Sequence, residues 1–232
     1  MNQTNCSVRK FALRSLGLLL LVLVLQPSRA QQADDPYADE IRAFRHQDSL
    51  EPPPSHAILF VGSSSFRFWK DVQQDFPGYT IINRGFGGST LPDVIRHAGE
   101  IILPYHPREV VIYCGENDLA YADTVSPELV LARFRTLFGI IRHAYPRLPI
   151  VFVSIKPSPS RQQLMPRMLR ANVLIRQFLA RRRKTYFVDV YHRMLTQEGT
   201  PMPDIFGDDN LHMNRKGYAI WQEAIRPFLI KD

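Results

Sequence analysis

The sequence predicts an α/β chain, a three-layer α/β/α sandwich built on a five-stranded parallel sheet. Two patterns carry that expectation. Short apolar runs rich in β-branched residues recur at 57–61, 79–82, 109–113, 150–155 and 186–190. Their hydrophobicity is continuous rather than alternating, as in strands covered on both faces. Helical patterns lie between them, near 66–75, 91–102, 126–144 and 161–183, with a last one after Asn214. Strands alternating with helices imply parallel pairing through right-handed crossovers. A third observation bounds the size. The 232 residues are 45% hydrophobic and include 14 Phe, 9 Tyr and 2 Trp, enough apolar surface for one sizeable core.

In chain order, residues 1–30 read as a secretory signal peptide. Arg9, Lys10 and Arg14 open it, an apolar run follows over 16–25, and small Ser28 and Ala30 place a cut after Ala30. The run falls short of the roughly 20 apolar residues that a membrane-spanning helix needs. Cleavage there leaves no stable membrane span and implies export, to the periplasm or the medium; an uncleaved membrane anchor is the alternative reading of the same residues. Residues 31–54 form an N-terminal tail, a short helix over 36–48 begun by Pro36, and the stiff spacer Glu51-Pro52-Pro53-Pro54. The rest, 55–232, reads as one domain without repeats or low-complexity segments. Ser126-Pro127-Glu128 opens one helix as cap, first-turn proline and first-turn acid, and Asn214 is placed to cap the last.

Charge and cysteine content exclude some classes. The formal net charge is +7, but Arg9, Lys10, Arg14 and Arg29 in the leader supply four of those charges. The remaining 25 basic and 22 acidic residues leave about +3, which does not point to a nucleic-acid partner. Beyond the leader only Cys114 remains, so no internal disulfide is expected. At the end of an apolar run, Cys114 reads as a buried small hydrophobe.

Ligands of such sheets bind outside the carboxyl ends of the strands. The loops there carry Gly62-Ser63-Ser64-Ser65, then Gly85-Phe86-Gly87-Gly88-Ser89-Thr90, then Gly115-Glu116-Asn117-Asp118, and later Asp208-Asp209-Asn210-Leu211-His212. Singly, each has an ordinary reading as a helix cap, a tight turn or a pair of acids. Together they supply a nucleophile, oxyanion donors, a base and a group to orient it. Thr90 stands where a dinucleotide fingerprint needs its last glycine, and no phosphate-cradling loop is present. Asp208, Asp209 and His212 lack a partner cluster at metal-ligand spacing, so neither metal nor organic cofactor is expected. Asp209 and His212 stand three residues apart, so a single helical turn would bring them to one side.

The blocks Gly62-Ser63-Ser64, Gly85-Phe86-Gly87-Gly88, Gly115-Glu116-Asn117-Asp118 and Asp209-Asn210-Leu211-His212 resemble the four signature blocks of the SGNH (GDSL-like) hydrolases, in that family's order across about 55–230. The Gly-Ser-Ser-Ser opening resembles a bacterial variant of the family, whose commoner form is Gly-Asp-Ser-Leu. The resemblance implies a flavodoxin-like SGNH hydrolase fold and a Ser64–His212–Asp209 triad. It also implies an oxyanion hole made by the backbone N–H groups of Ser64 and Gly88 and the side-chain amide of Asn117. The α/β-hydrolases share the order Ser, Asp, His, but Phe66 occupies the second glycine of their G-x-S-x-G elbow. The implied activity is hydrolysis of a small-molecule or glycan ester, with the loops near 119–126 and 157–166 shaping the substrate site. An O-acyltransferase with the same triad and a non-catalytic glycan- or lipid-binding module remain the alternatives.

Overall fold

A computed structural model describes Met1 and residues 35–231 of the chain, so the expected leader, apart from Met1, and most of the tail lie outside the described residues. The chain divides into two units, Met1–Asp35 and Pro36–Asp232, and every element below belongs to the second. Five strands form one parallel sheet: β1 (Ile58–Gly62), β2 (Ile81–Gly85), β3 (Glu109–Tyr113), β4 (Ile150–Val153) and β5 (Thr185–Val188). Their order is β2-β1-β3-β4-β5. This is the flavodoxin-like doubly wound order, whose direction of winding reverses between β1 and β3.

β1, β3 and β4 are buried on both faces because successive side chains feed two separate cores, whereas the edge strand β5 leaves Tyr186 exposed. Leu59, Val61, Val110, Ile112, Ile150 and Phe152 pack on one side. That layer holds α4 (Leu91–Ile101), α6 (Pro127–Ala144) and α7 (Met165–Ala180). Ile58, Phe60, Val111, Tyr113, Val151 and Val153 pack on the other, against Phe66, Trp69, Tyr218 and Trp221. The second layer holds the short helices α2 (Ser64–Arg67) and α3 (Val72–Asp75) together with α8 (Arg215–Ile225). Ser126 caps α6 by accepting the Leu129 N–H, and Asn214 caps α8 by accepting from Lys216 and Gly217, as their positions in the sequence suggested.

Several boundaries differ from expectation. The single helix over 66–75 is two, because the Trp69 N–H turns back to the Phe66 carbonyl and the Lys70 N–H to that of Phe68, which breaks the α-helical ladder. β2 begins and ends later than 79–82 and continues through polar Asn83 and Arg84. Its free edge is closed by side chains, with Gln73 accepting the Ile81 N–H and Asn83 accepting the Gly85 N–H. A helix absent from the sequence reading, α5 (Glu116–Tyr121), follows β3 directly. Upstream, α1 (Ala38–Leu50) begins and ends two residues later than the short helix expected over 36–48, and sets Ile41 and Phe44 against the first core.

At the amino end of β3, far from the loops of interest, Glu109 is fully buried and accepts the Ile230 N–H at 3.1 Å. Burial pushes its carboxyl up to about 7, against the pull of that N–H and of the Arg108 charge. A carboxyl raised on folding takes up a proton between its unfolded value and about 7, so its contribution is present below that window and lost as pH rises through it. Glu109→Gln should therefore be more stable than the parent at pH 8.5, by at most about 3 kcal/mol. The advantage should shrink at pH 5. Thermal unfolding at the two pH values measures it.

Candidate active site

Ser64 is delivered by the turn that ends β1. Gly62 has φ +138°, and a Cβ there would run into the backbone carbonyl of Tyr113 on the neighbouring strand, so only glycine lets β1 and β3 lie this close. The Ser63 N–H then donates to the Tyr113 carbonyl at 3.0 Å and the chain turns at once into α2. Of the three consecutive serines, Ser63 and Ser65 are buried and Ser64 is partly open. Ser64 Oγ lies 2.9 Å from His212 Nε2.

His212 Nδ1 is 2.5 Å from Asp209 Oδ2. The two residues do not share a helical turn, as their spacing had suggested. Asn210 takes φ +52°, and the other carboxylate oxygen, Asp209 Oδ1, accepts the N–H groups of Leu211 and His212, each at 2.9 Å. An Asx-type turn thus brings the pair together. Partial burial works against the ionised Asp209, but the His212 hydrogen bond and the two backbone N–H groups outweigh it and bring its carboxyl down to about 2. Asp209 is therefore a carboxylate throughout the neutral range, able to fix the imidazole tautomer with Nε2 facing the serine. The ring of Phe68 stands edge-on to the imidazole, with centroids 4.7 Å apart.

The β2 and β3 loops close the other side. Asn117, in the first turn of α5, donates both amide hydrogens, to Ser63 Oγ at 2.7 Å and to the Ser89 carbonyl at 3.1 Å. Gly88 lies beside it, where a Cβ would sit 3.9 Å from Asn117 Nδ2. Ser89 Oγ donates to the Gly62 carbonyl, tying this loop to the turn that carries Ser64. The N–H of Ser64, at the first position of α2, has no helical acceptor. Neither it nor the Gly88 N–H donates to a protein group among the described residues. Asp118 is fully buried, accepts the Leu91 N–H that begins α4, and pairs with Arg133 at 2.7 Å. Burial raises its carboxyl above the usual range despite those donors.

One group escaped sequence reasoning. Lys156, just after β4, is fully buried and pairs with Glu116 at 3.0 Å. It also donates to the carbonyl of Leu211, the residue before His212, at 2.8 Å. Glu116 further accepts from Tyr113 and pairs with Arg161 at 3.2 Å. Burial opposes charge on both partners: it lowers the Lys156 value, whereas the Lys156 and Arg161 charges overcome it at Glu116 and hold that carboxylate ionised. The Ser160 N–H adds a second tether, to the Asn210 carbonyl at 3.0 Å. The segment after β4 thus grips the loop that carries Asp209 and His212. Among the described residues no cluster of three or more His, Cys, Asp or Glu side chains is arranged to hold a metal ion.

The sequence matches the model of the GDSL-like lipase/acylhydrolase family over residues 56–220. The chain belongs to that family. It is accordingly an ester-hydrolysing enzyme, an acylhydrolase. No curated protein sequence matches it. Solved structures share its fold at low identity. A GDSL-like lipase from Bacteroides thetaiotaomicron superposes with TM-score 0.67 at 19% identity, over 81% of this chain and 95% of that one. A catalytic mutant of an acetylxylan esterase from Geobacillus stearothermophilus gives 0.60 at 18%, over 77% and 96%. A carbohydrate esterase of family 3 from Talaromyces cellulolyticus gives 0.57 at 17%, over 74% and 94%. Among the described residues of this acylhydrolase, no helix is long and apolar enough to cross a membrane.

Proposed function

We propose that this acylhydrolase is a serine esterase in which Ser64 is the nucleophile, His212 the general base and acid, and Asp209 the group that orients the base. The observation that carries the reading is the unbroken relay from Ser64 Oγ through the imidazole of His212 to the ionised Asp209. In the first step Ser64 Oγ attacks the ester carbonyl carbon while its proton passes to His212 Nε2. The resulting oxyanion is received by the N–H groups of Ser64 and Gly88 and by the Asn117 amide. To serve, that amide must divert toward the substrate one of the hydrogens it now gives to Ser63 and Ser89. Collapse expels the alcohol, which takes the proton from His212. Water then repeats the sequence on the acyl-enzyme, releasing the acid and restoring Ser64.

Short-chain or carbohydrate esters fit the site better than long lipids. No long apolar lid segment is evident in the sequence, and two proteins sharing the fold are named for acetylxylan and carbohydrate ester hydrolysis. The leader read in residues 1–30 supports an exported enzyme acting outside the cytoplasm. The test is turnover of p-nitrophenyl acetate, butyrate and decanoate, with and without an added glycan acceptor. Release of free acid, falling from acetate to decanoate, is expected. Activity that rises into decanoate contradicts the substrate class. Acyl groups appearing on the glycan rather than in water identify a transferase, and no turnover with any ester favours a binding module.

A further inference from the structure

We infer that helix α1, which lies outside the family match at residues 56–220, is part of the machinery of this site: Glu40 is a positioning residue that clamps the oxyanion-side loop to the nucleophile helix. The inference rests on the assignment of Ser64 and Gly88 made above. Glu40 Oε2 accepts the backbone N–H of Gly87 at 3.2 Å and lies 2.7 Å from Arg67 Nε. Gly87 directly precedes the residue whose N–H faces the oxyanion. Arg67 ends the four-residue helix that Ser64 begins. One carboxylate oxygen therefore bridges both halves of the site.

This loop needs an external support. Gly87 and Gly88 in succession give the backbone more conformational freedom than any other pair of residues would. Preorganised donors stabilise charge only if they are already aimed when the charge develops. Tyr37, one residue before α1, supplies a second contact. Its ring meets Phe86 edge-on at 5.1 Å and covers Gly87 so closely that a Cβ there would run into the ring. The helix is itself held firmly. Asp48, near its far end, accepts from buried Arg84 of β2 and from the Tyr105 hydroxyl, and Arg84 Nε donates to that hydroxyl at 2.6 Å. Ile41 is buried between these two attachments. The side chains of Glu40 and Arg67 remain 28% and 41% exposed, so their pairing adds little to stability. What it contributes is geometry.

The full chain is compared with Glu40→Ala, Glu40→Gln and Arg45→Ala by steady-state hydrolysis of p-nitrophenyl acetate, thermal unfolding and amide hydrogen exchange. Glu40→Ala is expected to lower kcat about ten- to hundredfold, with KM within about twofold and Tm nearly unchanged. Exchange in the segment 86–89 should speed up in the same variant. Glu40→Gln keeps an acceptor for the Gly87 N–H and should recover most of the lost kcat. Arg45→Ala removes only the exposed pairing of α1 with Glu100 and should match the parent. A Glu40→Ala enzyme with parental kcat overturns the inference, as does a loss that Arg45→Ala reproduces. If the parent hydrolyses no ester, the assigned chemistry has failed rather than the clamp. The exchange rates then decide the clamp alone, and unchanged exchange at 86–89 overturns it.

Discussion

Ser64→Ala should yield a folded protein whose ester hydrolysis is lower by about 10⁴-fold or more. The expectation follows from how little else this hydroxyl does. Its hydrogen bond is to His212 at 2.9 Å, it lies at the partly open start of α2, and it supports neither core. The unfolding midpoint should therefore stay close to that of the parent. Neither neighbour can take over. Ser63 is buried with its Oγ engaged by Asn117, and Ser65 is buried in the layer where Tyr218 donates to its backbone carbonyl. Kinetics on p-nitrophenyl acetate together with a denaturation curve separate loss of the Ser64 hydroxyl from loss of the fold.

The largest stability effect should come from Lys156→Met. Removing one partner of a buried ion pair leaves the other charge uncompensated, at a cost of about 3–5 kcal/mol. Arg161 still neutralises part of the Glu116 charge, so the lower end of that range is expected. The same change removes the hydrogen bond to the Leu211 carbonyl that holds the residue next to His212. At temperatures where the variant remains folded, kcat should therefore fall further than the folded fraction does. Combining Lys156→Met with Glu116→Gln should recover much of the stability, because no lone buried carboxylate remains, but little of the kcat, because the tether to Leu211 is still absent. Chemical denaturation and kcat measured on both variants test this division. A double variant that regains full activity would show that the Leu211 contact is dispensable.

The sheet was legible because each strand is a short apolar run set between helical patterns, and all five were placed within a few residues. The loop blocks were legible for a related reason: the glycines, serines and Asn117 fall at the carboxyl ends of β1, β2 and β3, and the Asp–His pair lies in the long segment after β5. What escaped were elements whose meaning depends on distant partners. α5 is too short to show a helical period, and its first residues read equally well as a turn. Lys156 is charged and so reads as solvated; its partners Glu116 and Leu211 are far away in sequence and meet it only once β3, β4 and the last loop are assembled. Helix α1 reads as a preface to the domain, because nothing local to Glu40 announces that Gly87 and Arg67 will lie beside it. Asp209 and His212 meet through a geometry other than the helical turn that their spacing suggests. Spacing by three suits a helical turn and an Asx turn alike, and the carboxylate's bonds to two successive N–H groups select the second.

Treating the chain with a fluorophosphonate and locating the adduct by mass spectrometry tests whether Ser64 is the reactive hydroxyl. One stoichiometric adduct is expected, on Ser64, lost in Ser64→Ala and slowed in His212→Ala. An adduct on Ser63, Ser65 or any other residue would contradict that assignment, as would ester turnover that continues undiminished with no adduct at all.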